Sequence, residues 1–244
     1  MTFFIIGFIV ALLVGIALFA SFTRKAGRIG EKESNLSKKS FNAIVLHTYC
    51  PKHSRVPARG RIVSEAAVRF ASQWKIPLIL AVGHTVPGEP RTESQVYRDY
   101  LRERFPEKTF NIILGKDLDA RDTARETKEA ARLAKEQKMG SLLVVGLTPH
   151  LVRIQGYWQD FSKDFSLSYI GVSGPKRYYV WEFCMFILEK ILPPGSRRRQ
   201  IALNISVRPR HNSSRHKQSR SHCFSCGGYH SHILPSAFHG TGVL

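Results

Sequence analysis

No charged side chain precedes Arg24, and no acidic one follows Pro194. The chain lacks a GxGxxG turn after a strand, a GxxxxGK[ST] loop, a GxSxG elbow and an HExxH pair. These absences argue against an ordinary dinucleotide enzyme, a P-loop NTPase, a lipase-type hydrolase and a zincin. Its 4 cysteines are too few and too scattered for a disulfide scaffold. In an apolar helical pattern, Cys184 is expected to be a small buried hydrophobe, whereas Cys50 falls in a loop. At 244 residues the chain has room for one well-buried core plus appendages.

The first appendage is apolar. Phe3 to Ala20 holds only apolar residues, glycine and alanine, enough for a helix to cross about 30 Å of hydrocarbon. A cleaved signal peptide is the rival, but its charged leading region is missing and Leu18-Phe19-Ala20 makes a poor cleavage site. The formal charge of +19 belongs mostly to the flanks. Residues after Pro194 carry eight bases and no acid, and residues 24–40 are strongly basic, while the middle is far closer to balance. Such flanks act on anionic lipid or nucleic acid rather than in a pocket.

The expected organisation is a transmembrane anchor over 1–23, a basic linker over 24–40, an α/β domain over 41–194 and a basic, disordered tail over 195–244. Within the domain, Ala43–Leu46, Ile76–Val82, Phe110–Leu114, Ser141–Leu147 and Leu167–Val172 read as buried strands. Helical patterns over Arg59–Gln73, from Thr92, from Asp122 or Thr123 to Lys138, over Pro149–Phe161 and over Tyr179–Leu192 separate or follow them. Strands spaced by such helices imply right-handed crossovers. The fold class is therefore a Rossmann-like three-layer α/β sandwich with a mainly parallel five-stranded sheet, preceded by a transmembrane helix.

Ligands of such sheets bind outside the carboxyl ends of the strands. The residues there are His47, Thr48, Tyr49 and Cys50 after the first strand, and Gly83, His84 and Thr85 after the second, with Glu93 downstream. Asp117 and Asp119 follow the third strand, and Thr148, His150 and Arg153 follow the fourth. His150 and Arg153 are one helical turn apart at a helix start, a pattern suited to an anion. Glu93 is either a first-turn acid favoured by the helix dipole or, facing His150, half of an acid/base pair. Thr123 and Glu126 fit either a capping box or a site.

The order and spacing resemble the YdcF/SanA/ElyC-like family over roughly Asn42 to Leu192. The matching pieces are Arg61 at a helix start, Gly83 closing the second strand, Thr92-Glu93-Ser94, Asp122-Thr123-Ala124-Arg125-Glu126 and Thr148-Pro149-His150-Leu151-Val152-Arg153. The resemblance implies a bacterial, envelope-associated protein with a membrane helix and a Rossmann-like domain, linked with polysaccharide or peptidoglycan-precursor metabolism. It also implies S-adenosylmethionine as a candidate cofactor. Its glycines after the first strand are replaced here by His47-Thr48-Tyr49-Cys50, and its Asn after Thr-x-x-Glu by Thr127, changes that narrow the pocket.

The expected site is thus His150 and Glu93 as proton-handling residues, with Arg61, Thr123, Glu126, Thr148 and Arg153 as ligand-binding residues. The expected ligand is an anionic or phosphorylated metabolite, such as a lipid-carrier or nucleotide-sugar intermediate, bound and then hydrolysed or transferred. A non-catalytic sensing or scaffold domain is the alternative, and nucleic acid is a partner only through the tail. In that tail, Cys223, Cys226, His230 and His232 are zinc-type ligands on a loop shorter than an ordinary finger's. The bases after the apolar helix place the domain in the cytoplasm, whereas the resemblance places it outside.

Overall fold

The five strands are short because each crosses a buried sheet once. The structure, a computed structural model, describes residues 2–31, 33–36, 39–51, 55–85, 90–120 and 122–192. Its strands are β1 (Ala43–Leu46), β2 (Leu78–Leu80), β3 (Ile112–Leu114), β4 (Ser141–Leu147) and β5 (Ser166–Val172). They form one sheet in the order β3-β2-β1-β4-β5, and every pair is parallel. β2 begins at Leu78 rather than Ile76, since Pro77 has no N–H for the ladder and contributes only its carbonyl, to Ile44. The tail ligands Cys223, Cys226, His230 and His232 lie outside the described residues.

The continuous apolar runs have a direct cause: both faces of the sheet are covered. Ile44, Leu46, Leu78, Leu80, Leu143 and Val145 point into one core. Against them lie α3 (Ala58–Trp74) and α4 (Glu93–Arg104). Their sequence neighbours Ala43, Val45, Ile79, Leu142 and Val144 point the opposite way, as the two-residue period requires. That second core is closed by α5 (Thr123–Glu136), α6 (Leu151–Trp158) and part of α1 (Thr2–Ile29).

α1 alters the expected organisation. Phe4 to Leu18 are exposed along its apolar half, and it is the one described helix long and apolar enough to cross a membrane. The stretch read as a linker from residue 24 is helical to Ile29. Phe22, Ala26 and Ile29 are buried, and Leu36 of the short α2 (Glu33–Leu36) is fully buried in the other core. The spacing i, i+4, i+7 is a helical stripe hidden among the basic residues. Beyond it, the Glu31 amide donates to the Tyr169 carbonyl of β5 at 2.8 Å. Among the described residues, the domain therefore starts inside α1, with the stretch after it packed on both cores.

Of the two N-caps expected for the helix before β4 it is Asp122 that serves, and the capping box lies elsewhere. Asp122 caps α5, accepting from the Arg125 amide at 3.0 Å, so Thr123 is the first helical residue and Thr123 and Glu126 form no capping box. The box is found instead at α4, where Thr92 and Gln95 exchange side-chain and backbone bonds. The last helix, α7 (Arg177–Ile191), turns Glu182 inward and leaves Cys184 exposed. A buried carboxylate two residues earlier fixes the rotation of that helix, which corrects the expectation of a buried Cys184.

Candidate functional site

The chain runs from β1 outward to β2 and β3, then crosses back to place β4 on the other side of β1. The crevice between the carboxyl ends of β1 and β4 is the topological switch point, where open α/β sheets bind ligands. Buried polar side chains fill this crevice: His47, Thr48, Glu93, Thr123, Glu126, His150 and Glu182 are all buried.

Glu126 organises the first half of the cluster. One turn into α5, its Oε1 accepts from the Thr48 amide at 2.8 Å and the Thr48 hydroxyl at 3.2 Å. Its Oε2 lies 2.9 Å from His47 Nδ1. On the far side of the ring, Trp158 Nε1 donates to His47 Nε2 at 3.2 Å. An indole N–H can only donate, so Nε2 accepts and the imidazole proton is assigned to Nδ1, toward Glu126. His47 is thereby locked at both nitrogens.

The second half is built around His150, the residue before α6. Its Nδ1 lies 3.0 Å from the Tyr49 hydroxyl, which also accepts from the Leu147 amide at 3.1 Å. Its Nε2 lies 3.2 Å from both Thr123 Oγ1 and Arg153 Nη2, and Arg153 Nη2 donates to Thr123 at 2.9 Å. The guanidinium is a donor only, which assigns Nε2 as acceptor and the proton to Nδ1. Burial, then the positive charge of Arg153, holds His150 well below the usual imidazole range. It stays neutral at neutral pH.

Arg153 is itself compensated. Its Nε lies 3.3 Å from Glu182 and its Nη1 3.2 Å from Glu189, two turns apart on one face of α7. Burial raises the Glu182 carboxyl and Arg153 pulls it back. Arg59, in the first turn of α3, is held differently. Its guanidinium lies over the Tyr49 ring at 5.1 Å and the Tyr178 ring at 5.9 Å. Among the described residues it has no ion pair or hydrogen bond.

Sequence-expected residues separate into two groups. His150, Thr123 and Arg153 meet in one hydrogen-bonded group, and Glu126 joins the neighbouring one. Glu93 does not pair with His150. It lies beside Thr48, and burial pushes its carboxyl up to about 8 against the pull of the Thr48 hydroxyl, with Glu126 adding to the rise. Thr148 gives its hydroxyl to the Val172 carbonyl at 3.3 Å, tying the end of β4 to β5. Arg61 faces away, into a cleft of about 380 Å³ between α3 and α4 lined also by Arg55, Arg91 and Tyr100. Thr127 turns its hydroxyl to the Thr123 carbonyl at 2.8 Å within α5.

The expected site does not include His47, Thr48 and Tyr49, although they are noted at the end of the first strand, nor Arg59, Trp158, Glu182 and Glu189. The first three were visible as the polar end of β1. Glu182 and Glu189 carry a weaker signal, two acids seven residues apart in a largely apolar helix.

The turn after β1 does not fit S-adenosylmethionine. Tyr49 bridges from the end of β1 to the Leu147 amide at the end of β4, across the crevice where a nucleoside would approach the backbone. Gly60 on α3 supports this arrangement: any side chain there would collide with the Tyr97 hydroxyl. That hydroxyl clamps Tyr49, accepting from its amide and donating to its carbonyl, both at 2.9 Å. No family model matches the chain, and a comparison with curated proteins finds no match.

Proposed function

We propose that this chain is a membrane-anchored, envelope-associated protein whose β1/β4 crevice binds a small anionic metabolite, with a phosphorylated group as the recognised feature. One observation carries the reading: at this switch point two guanidiniums, Arg153 and Arg59, both act on His150 and Glu182, and Arg59 is tied down by no ion pair or hydrogen bond among the described residues. A guanidinium held over an aromatic ring by cation–π attraction commits no N–H donor to it and keeps them for a phosphate or carboxylate. Arg59 recruits the anion. Arg153 becomes available when the ligand displaces the Glu182 and Glu189 carboxylates, which stand at Arg153 as an anion would. α1 supplies the anchor.

The geometry favours binding without turnover, the sensing or scaffold form of this reading. A general base must be free and of suitable basicity. His47 is held at both ring nitrogens by Glu126 and Trp158, and His150 is depressed by burial and Arg153. Glu93, protonated up to about pH 8, is the remaining proton donor and lies apart from His150.

The test is a thermal-shift screen of the full chain in detergent against phosphate, nucleotides, nucleotide sugars and polyprenyl-phosphate analogues. A ligand at 100 times its Kd adds about 2.7 kcal/mol. The reading predicts a stabilising ligand whose effect is lost in Arg59→Ala. A ligand unaffected by both Arg59→Ala and Arg153→Ala would place binding elsewhere and refute it.

A further inference from the structure

α7 packs Tyr179, Phe183 and Phe186 on the domain and yet presents further apolar side chains outward. Its inner face carries the buried Glu182 and the largely covered Glu189, both against Arg153. Its outer face carries Val180, Trp181 and Ile191, which are 56%, 47% and 69% exposed, together with the exposed Cys184. Positions 180, 184 and 191 follow the i, i+4, i+11 stripe of one helix face, with Trp181 at its edge. No acid lies on this stripe.

The same helix packs on α1 where the apolar span ends. Phe19 meets the Phe183 ring at 5.3 Å, and Phe22 meets Phe183 and Phe186, each at 5.6 Å. Phe19 and Phe22 directly follow the exposed apolar stretch of α1. Bases mark both ends of α7, Lys176 just before it, Arg177 as its first residue and Lys190 in its last turn. An apolar helix face edged by tryptophan, flanked by bases and continuous with a spanning helix is the composition of a segment lying in the lipid interface.

We infer that the outer face of α7 rests in the interfacial layer of an anionic bilayer, seating the domain against the membrane beside α1. This rests on the reading of α1 as a membrane span. α7 then has two contacts, lipid on its outer face and Arg153 on its inner one, so the bilayer holds the carboxylates that cover the switch-point crevice.

The full chain is reconstituted into vesicles of phosphatidylglycerol and phosphatidylcholine, with or without brominated acyl chains, and tryptophan fluorescence is recorded. Of its 3 tryptophans, Trp158 is buried and Trp74 packs between Phe41 and Phe70, leaving Trp181 as the exposed reporter. Brominated lipid is expected to quench the wild type, and Trp181→Phe to abolish most of that quenching. A Val180→Asp/Ile191→Asp variant, altered only at exposed positions, should keep its fold and lose the quenching at Trp181.

Alkaline carbonate extraction of the same vesicles separates the two readings. A chain that stays in the membrane while Trp181 is unquenched overturns the α7 inference alone. A chain stripped by carbonate overturns the anchor and the inference with it. Cys184 cross-linking between copies, with Trp181 unquenched, identifies a second copy as the occupant and refutes the lipid contact. Quenching that appears only after residues 193–244 are deleted identifies the chain's own tail there, and refutes it equally.

Discussion

Glu126→Gln is nearly isosteric, and the hydrogen bonds around it make it costly. The carboxylate accepts from three donors: His47 Nδ1–H, the Thr48 amide and the Thr48 hydroxyl. A glutamine offers one oxygen and one NH2. With its oxygen toward Thr48, the NH2 faces the His47 Nδ1 proton. If His47 moves that proton to Nε2, it then meets the Trp158 indole N–H, which cannot accept. With the amide turned round, the Thr48 N–H is left facing NH2. Every arrangement leaves one buried donor opposed by another, a cost of about 1–3 kcal/mol. For a chain of this size that lowers Tm by about 2–4 °C per kcal/mol. Glu126→Ala orphans all three donors and costs more than the glutamine, about 1–3 kcal/mol for each donor that finds no new partner. The assay is thermal unfolding of the full chain in detergent, with Trp158→Phe completing a double-mutant cycle. Because removing the indole N–H relieves the conflict, Trp158→Phe should cost less in the Gln background than in wild type. A Glu126→Gln protein as stable as wild type, or strictly additive costs, would refute the assigned tautomer.

Glu93 and His150 bias stability in opposite pH windows. With its folded carboxyl at about 8, Glu93 holds a proton that the unfolded chain releases above the ordinary value of 4.5, so its contribution weakens from there up to about pH 8. Glu93→Gln should flatten the decline across that window and raise Tm at pH 8, as read by thermal melts at closely spaced pH. His150 has the reverse sign: its folded imidazole stays neutral below 6.5, where the unfolded one takes a proton, so stability falls as pH drops through 6.5. His150→Gln should reduce that acid-side loss in the same melts. A fragment beginning at Phe41 removes Phe22, Ile29 and Leu36 from the two cores. Each such side chain is worth about 1.5–3 kcal/mol, so chemical denaturation should find the fragment several kcal/mol weaker than one beginning at Ser21.

The sheet was legible because β1, β2 and β4 are buried on both faces and must be apolar throughout, a pattern that few loops or surface helices imitate. Their order was less so, since pairing is a long-range property. The candidate site was legible where side chains follow strands directly, as with His150 and Arg153. It was illegible where partners arrive from distant elements. Nothing near Glu93 in sequence reveals that Thr48, rather than His150, is its neighbour. Arg61 and Arg59 both open α3, and only the helix rotation decides that Arg59 turns to Tyr49 while Arg61 turns to the other cleft. The linker reading failed because three buried positions were scattered through a stretch dominated by charge.

The most direct test of anion binding at the β1/β4 crevice is a calorimetric titration of the full chain with the best phosphorylated ligand from the thermal screen. Wild type is compared with Arg59→Ala and Arg153→Ala, and with Arg61→Ala as the control in the neighbouring cleft. Each lost charge-assisted contact should weaken binding by about 1.5–3 kcal/mol, roughly ten- to a hundredfold in Kd. The account predicts that loss for Arg59→Ala and Arg153→Ala, with Arg61→Ala unchanged. Loss confined to Arg61→Ala would contradict it and move the site to the cleft between α3 and α4.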